Sequence, residues 1–127
     1  MALTYQWRDC GPAGPVSDAQ LIKNFVNDAR GAISFVRDQG AENVILAGAS
    51  LGGLASAKLA IESGASGLII FASPPKIPNY DFVIDATDLD VNIPKLFITA
   101  ENDSVVPADE SQKMYEMAAE PKEWQTY

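Results

Sequence analysis

Three stretches of this chain, residues 43–49 (NVILAGA), 67–73 (GLIIFAS) and 94–100 (PKLFITA), are short continuous runs dominated by apolar residues. Successive side chains on a strand point to opposite faces, so a strand with one wet face alternates apolar and polar residues. Runs without alternation belong to strands buried on both faces, which is the usual state of a parallel sheet with crossover connections. The segments between the runs supply crossovers. Residues 51–63 read as a helix ended by Gly64, and residues 108–119 as a helix entered through Pro107 and stopped by Pro121.

The remaining elements follow from local signals. Ser17 opens a helix with Gln20 three residues on, a capping-box spacing. Leu21, Phe25, Val26, Ala29, Ile33, Phe35 and Val36 keep a helical period, and Gly40 stops it. Gly31 weakens its middle by about 1 kcal/mol. Residues 2–7 (ALTYQW) and 122–127 (KEWQTY) alternate like strands. Residues 8–16, with Gly11, Pro12, Gly14 and Pro15, form a loop, and residues 77–93 an acidic connector with little periodicity. The expected fold is α/β, one domain over residues 1–127, with about five mostly parallel strands joined by right-handed crossovers.

Charge and composition narrow the function. Lys and Arg number 9 against 17 Asp and Glu, a net charge of −8. A chain so acidic cannot neutralise phosphates, so neither nucleic acid nor an anionic membrane surface is an expected partner. The single cysteine, Cys10, excludes an intrachain disulfide and fits a reducing, cytoplasmic setting. No basic segment precedes an apolar core at Met1, so no secretory leader is expected. No apolar run approaches the ~20 residues of a membrane span. The chain contains no histidine, which removes histidine as a general base and as a metal ligand from this chain.

One motif carries chemistry. Gly48-Ala49-Ser50-Leu51-Gly52-Gly53 is G-x-S-x-G between a buried strand and a helix. A nucleophilic serine must stand on a sharp, strained turn at the sheet edge, with small neighbours so that strand and helix approach closely. The amide after it then faces a developing oxyanion from a helix N-terminus. Gly48, Gly52 and Gly53 give the space and Ser50 is the tip.

In this stretch the chain resembles the α/β-hydrolase superfamily, most like small bacterial esterases and lipases, over nearly all of residues 5–127. The resemblance implies that Ser50 holds the nucleophile position and that the Leu51 amide is one oxyanion donor. It implies that Asp103, in Asp103-Ser104-Val105-Val106-Pro107 after the third apolar run, is the triad acid, with Glu101 the weaker candidate. The family's histidine follows a later strand and has no counterpart here. The family's first three strands, first helix and second oxyanion loop have none either. The sequence thus matches the central block of the fold. The expectation is a serine-esterase lineage whose catalytic set is incomplete in this chain and which acts as a structural or interaction scaffold. A serine ester hydrolase completed in trans by a partner supplying histidine is the alternative. A module binding a small acyl, ester or anionic ligand at the Gly48–Gly53 turn is the third reading.

Other sites fail on spacing. Asp88-x-Asp90-x-Asn92 begins like an EF-hand loop, but Ile93 stands where Gly is needed and Thr99 where Glu is needed. With Asp81 and Asp85 it reads as a solvated acidic loop, so no metal is expected. A dinucleotide fingerprint needs glycine at Ser50, and the looser G-x-x-x-G-x-G fails at Leu54, so no cofactor is expected.

Crossovers that all step the same way put every helix on one face of the sheet. About five strands at ~4.8 Å spacing and about 15 Å length leave roughly 350 Å² of the other face open. At ~25 cal/mol/Å² that is on the order of 9 kcal/mol of unrealised burial. A homo-oligomer, most simply a two-fold dimer, is therefore expected to cover Val44, Ile69 and Phe97 or their opposite-facing neighbours.

Overall fold

A computed structural model describes residues 2–8, 18–77 and 82–127. The expected loop beyond Arg8, the Ser17 cap, Cys10 and Asp81 lie outside the described residues. The elements are α1 (Asp18–Asp38), β1 (Ile45–Ala49), α2 (Leu51–Leu59), β2 (Gly67–Phe71), a short 3-10 turn (Ala86–Leu89), β3 (Lys95–Thr99), α3 (Ala108–Met117) and β4 (Lys122–Thr126). The sheet is parallel and four-stranded, in the order β1-β2-β3-β4.

The α/β class and the parallel crossovers are as expected, but the strand count is four rather than about five. Residues 2–7 pair with no strand. Trp7 packs on Phe25 of α1 with ring centroids 4.8 Å apart, and Tyr5 stacks edge-on against Trp7 at 5.1 Å. Arg8 donates from its backbone N–H (2.9 Å) and its Nε (2.6 Å) to the Asp28 carboxylate. The segment is thereby tied to α1. Residues 2–5 line the far side of a groove whose near side is β1. Strand propensity is context-dependent, and here no neighbouring backbone meets it.

Register sorts the side chains onto two faces. Leu46–Leu68–Lys95–Lys122 and Gly48–Ile70–Phe97–Trp124 lie in cross-strand rows on one face. Leu46, Leu68, Ile70 and Phe97 of these rows are buried in one cluster with Leu54, Leu59, Met114 and Ala118, so α2 and α3 cover the same side. Ile84 and Leu89 from the acidic connector join them. The other face carries Ala47–Ile69–Leu96–Glu123 and Ala49–Phe71–Ile98–Gln125. There Ile45 is 62% and Phe71 38% exposed. The long helix α1 packs on α2 instead of closing this face. Of the three residues expected to share a face, Val44 and Phe97 are buried under the helices and Ile69 points to the open side. The register moves Ile69 because it pairs with Leu96, not Phe97.

The connector's carboxylates have local work. Asp85 accepts from the Thr87 N–H at 2.8 Å while the Asp88 carboxylate accepts from the Asp85 N–H at 3.1 Å, a reciprocal cap on the 3-10 turn. Lys58 of α2 pairs with Asp88 at 2.8 Å. Lys95, only 2% exposed, is satisfied where β3 begins: its Nζ donates to the carbonyls of Val91 (2.6 Å), Ile93 (3.0 Å) and Ala119 (2.9 Å). It ties the entry to β3 to the exit from α3. Lys95→Met is expected to leave these acceptors without their buried donor and to cost on the order of 2–3 kcal/mol, read as a lowered urea midpoint at unchanged m-value. A midpoint within error of the wild type would show that Lys95 is not a structural tie.

Candidate functional site

Ser50, Ala72–Ser73 and the turn at 101–106 follow β1, β2 and β3, so all lie at the carboxyl edge of the parallel sheet. Ser50 is exposed and has φ 51° and ψ −119°, a conformation that costs an L-residue of order 1–3 kcal/mol. The surroundings hold it there. Its N–H donates to the Phe71 carbonyl at 3.0 Å. Its carbonyl accepts from the N–H groups of Gly53 (3.0 Å) and Leu54 (3.2 Å) and from the Ser73 hydroxyl (2.7 Å). The N–H groups of Leu51 and Gly52 lie ahead of those bonds, at the positive end of α2.

Close approach explains two of the glycines. A Cβ at Gly48 would sit 2.1 Å from the Gly52 carbonyl oxygen and 2.7 Å from the Gly53 nitrogen, both backbone atoms. A Cβ at Gly53 would sit 2.6 Å from the Ser73 hydroxyl. Gly52 differs, since its Cβ would meet only the Trp7 ring at 4.0 Å. Ser73, fully buried, is the support that sequence reasoning missed. Its only signal was a polar residue closing an apolar run before Pro74-Pro75. Ala72 beside it also has a positive φ, 40°.

Asp103 lies two strands along the edge from Ser50, about 10 Å at ordinary strand spacing. Its Oδ1 accepts from the N–H of Val105 (2.8 Å) and Val106 (2.9 Å). Those N–H groups, Val106 first and Val105 second, hold its carboxyl below the usual carboxylate range. The carboxylate therefore organises the turn into α3. Glu101 is exposed, with its N–H on the Tyr127 carbonyl at 3.1 Å. The edge thus carries a strained serine, a helix N-terminus and, two strands away, an ionised carboxylate, and the sequence contains no histidine. Among the described residues, no cluster of acidic or cysteine side chains could hold a metal ion, and no helix is long and apolar enough to cross a membrane.

Two outcomes follow. Gly48→Ala is expected to lose about 3 kcal/mol or more in chemical denaturation, because backbone must move. Gly52→Ala should be near neutral or stabilising by up to ~1 kcal/mol through helix propensity. Equal effects at the two positions would contradict the packing of the turn. For Asp103, a carboxyl lowered in the folded state stabilises above its unfolded pKa, and the contribution disappears as pH falls through the folded pKa. The Tm gap between wild type and Asp103→Ala should be full above about pH 5 and shrink below about pH 4. A gap that is constant with pH would contradict the turn's dependence on this charge.

No protein-family model and no curated protein matches the sequence. Solved structures do match. An α/β serine hydrolase homologue from Coxiella burnetii is 23% identical, superposes with a TM-score of 0.74, and covers 95% of this chain and 55% of its own. A lidless α/β serine hydrolase from Xanthomonas campestris is 24% identical at a TM-score of 0.70, covering 94% of this chain and 52% of its own. An α/β-hydrolase enzyme from the metagenome of Mar Chica lagoon sediments is 20% identical at 0.65, covering 91% and 64%. This chain therefore has the α/β-hydrolase fold, and it spans about half to two-thirds of the length of these hydrolases.

Proposed function

We propose that this chain is a scaffold of serine-hydrolase lineage, without ester turnover of its own, that acts by interaction through its open sheet face. The observation that carries the reading is the pairing of a built elbow at Ser50 with the absence of histidine from the chain. A serine hydroxyl without a neighbouring base is a weak nucleophile, whatever its exposure. The lone cysteine and acidic charge fit a cytoplasmic protein with neither nucleic acid nor membrane as partner.

The partner we assign to the open face is a second copy. Ile69, Leu96, Ile98, Phe71 and Ile45 make that face apolar across β1 to β3, whereas Glu123 and Gln125 make it polar at β4. Four five-residue strands present roughly 320 Å², less than the ~800 Å² per partner of a standard interface. The contact must then extend past the sheet, and Leu3 and Tyr5, exposed across the β1 groove, provide apolar surface there.

Completion in trans is the second reading. It is favoured by the intact support of the elbow, since Ser73 still donates to the Ser50 carbonyl at 2.7 Å. Hydrolysis of p-nitrophenyl acetate separates the readings. The purified chain is expected to show the same rate as Ser50→Ala. A rate that Ser50→Ala abolishes would overturn the scaffold reading. Fluorophosphonate labelling of Ser50 only in the presence of a second polypeptide would establish the trans-completed enzyme.

A further inference from the structure

We propose that the seam between β3 and α3 holds a binding site for a single water molecule, between the hydroxyls of Thr99 and Ser111. The proposal is independent of the scaffold reading, because it concerns the interior and neither the elbow nor the open face.

Two cross-contacts set how α3 lies on β3. The helix runs back along the strand that it follows. At the start of β3 the Lys95 Nζ donates to the Ala119 carbonyl, just past the end of α3, at 2.9 Å. Further along the strand the Phe97 ring meets Tyr115 edge-on, with centroids 5.6 Å apart. The next step is nearly equal on the two elements. Two residues of strand advance about 6.6 Å, and one turn of helix about 5.4 Å. From Phe97 that step reaches Thr99 on the same face of the sheet, and from Tyr115 it reaches Ser111 on the same side of the helix. Thr99 and Ser111 therefore face each other across the seam.

Both are buried, Thr99 to 1% and Ser111 to 4% exposure, and neither hydroxyl has a hydrogen-bond partner among the described residues. Ser73 and Lys95, equally buried, do have partners. A buried hydroxyl without a partner has lost its hydration and gained nothing in return. Thr99 and Ser111 do not bond each other. A water between them donates to one and accepts from the other, which satisfies both at once. The ligand is water and not a larger polar molecule, because Phe97 and Met114 close the seam, each at most 2% exposed.

The site bears on the carboxyl edge. The turn that carries Asp103 runs from the end of β3 to the start of α3, and α3 begins at Pro107 without a side-chain cap. A water shared by Thr99 and Ser111 fastens the two ends of that turn from the inside.

Magnetic relaxation dispersion of the water oxygen counts the waters that a protein holds for longer than it tumbles. The full chain is compared with Thr99→Val, Ser111→Ala, their double variant and Thr99→Ser, which keeps the hydroxyl. The double variant is expected to hold one water fewer than the wild type, and Thr99→Ser the same number. The urea midpoint is expected to fall in Thr99→Val and in Ser111→Ala, because each leaves the water and the opposite hydroxyl short of a bond. An unchanged count in the double variant would overturn the proposal. So would a midpoint that holds or rises in either single variant, since removing a hydroxyl that has no ligand relieves a penalty instead of breaking a bond.

Discussion

The direction of chain crossing governs this molecule. From β1 to β4 each strand adds to the same side of the one before, so α2 and α3 fall on the same face of the sheet. That single constraint creates both a dry core and an open apolar face. Leu68, Ile70 and Phe97 are almost fully buried, while Ile45, on the other face of the sheet, is mostly exposed. Strands that are apolar on both sides suit a sheet with two covers. Here α1, which precedes the β1-to-β4 crossovers, packs on α2. In the solved hydrolases of the same fold, between about a third and a half of the chain lies outside the part this sequence matches.

The same carboxyl edge that gives the fold its chemistry also concentrates its strain. Ser50 and Ala72, on adjacent strand ends, both adopt positive φ. Such conformations persist only where the surroundings over-determine them. At Ser50 the surroundings are the backbone bonds from Gly53 and Leu54, the Ser73 hydroxyl and the glycine at 48, which lets the strand lie against the first turn of α2. The strained elbow in a sequence with no histidine is the ground on which we propose interaction rather than hydrolysis.

Much of this was legible in the residues. Three unalternating apolar runs became β1, β2 and β3 in parallel register, and the G-x-S-x-G turn lies between β1 and α2. Residues 2–7 misled, because alternation and aromatic content report fitness for a sheet and not the presence of a neighbour. Face assignment also slipped: Ile69 and Phe97 look equivalent along the sequence, but a one-residue difference in register sends them to opposite sides. Ser73 and Lys95 were not visible as structural ties. Their partners are backbone carbonyls brought in from distant segments, and no local pattern encodes these.

The uncovered face is the central claim, and sedimentation velocity at micromolar concentration measures it most directly. Burial of that face predicts one species of about twice the 13.6 kDa chain mass, dissociating on dilution. A compact, cooperatively folded monomer that persists across the concentration range would contradict it.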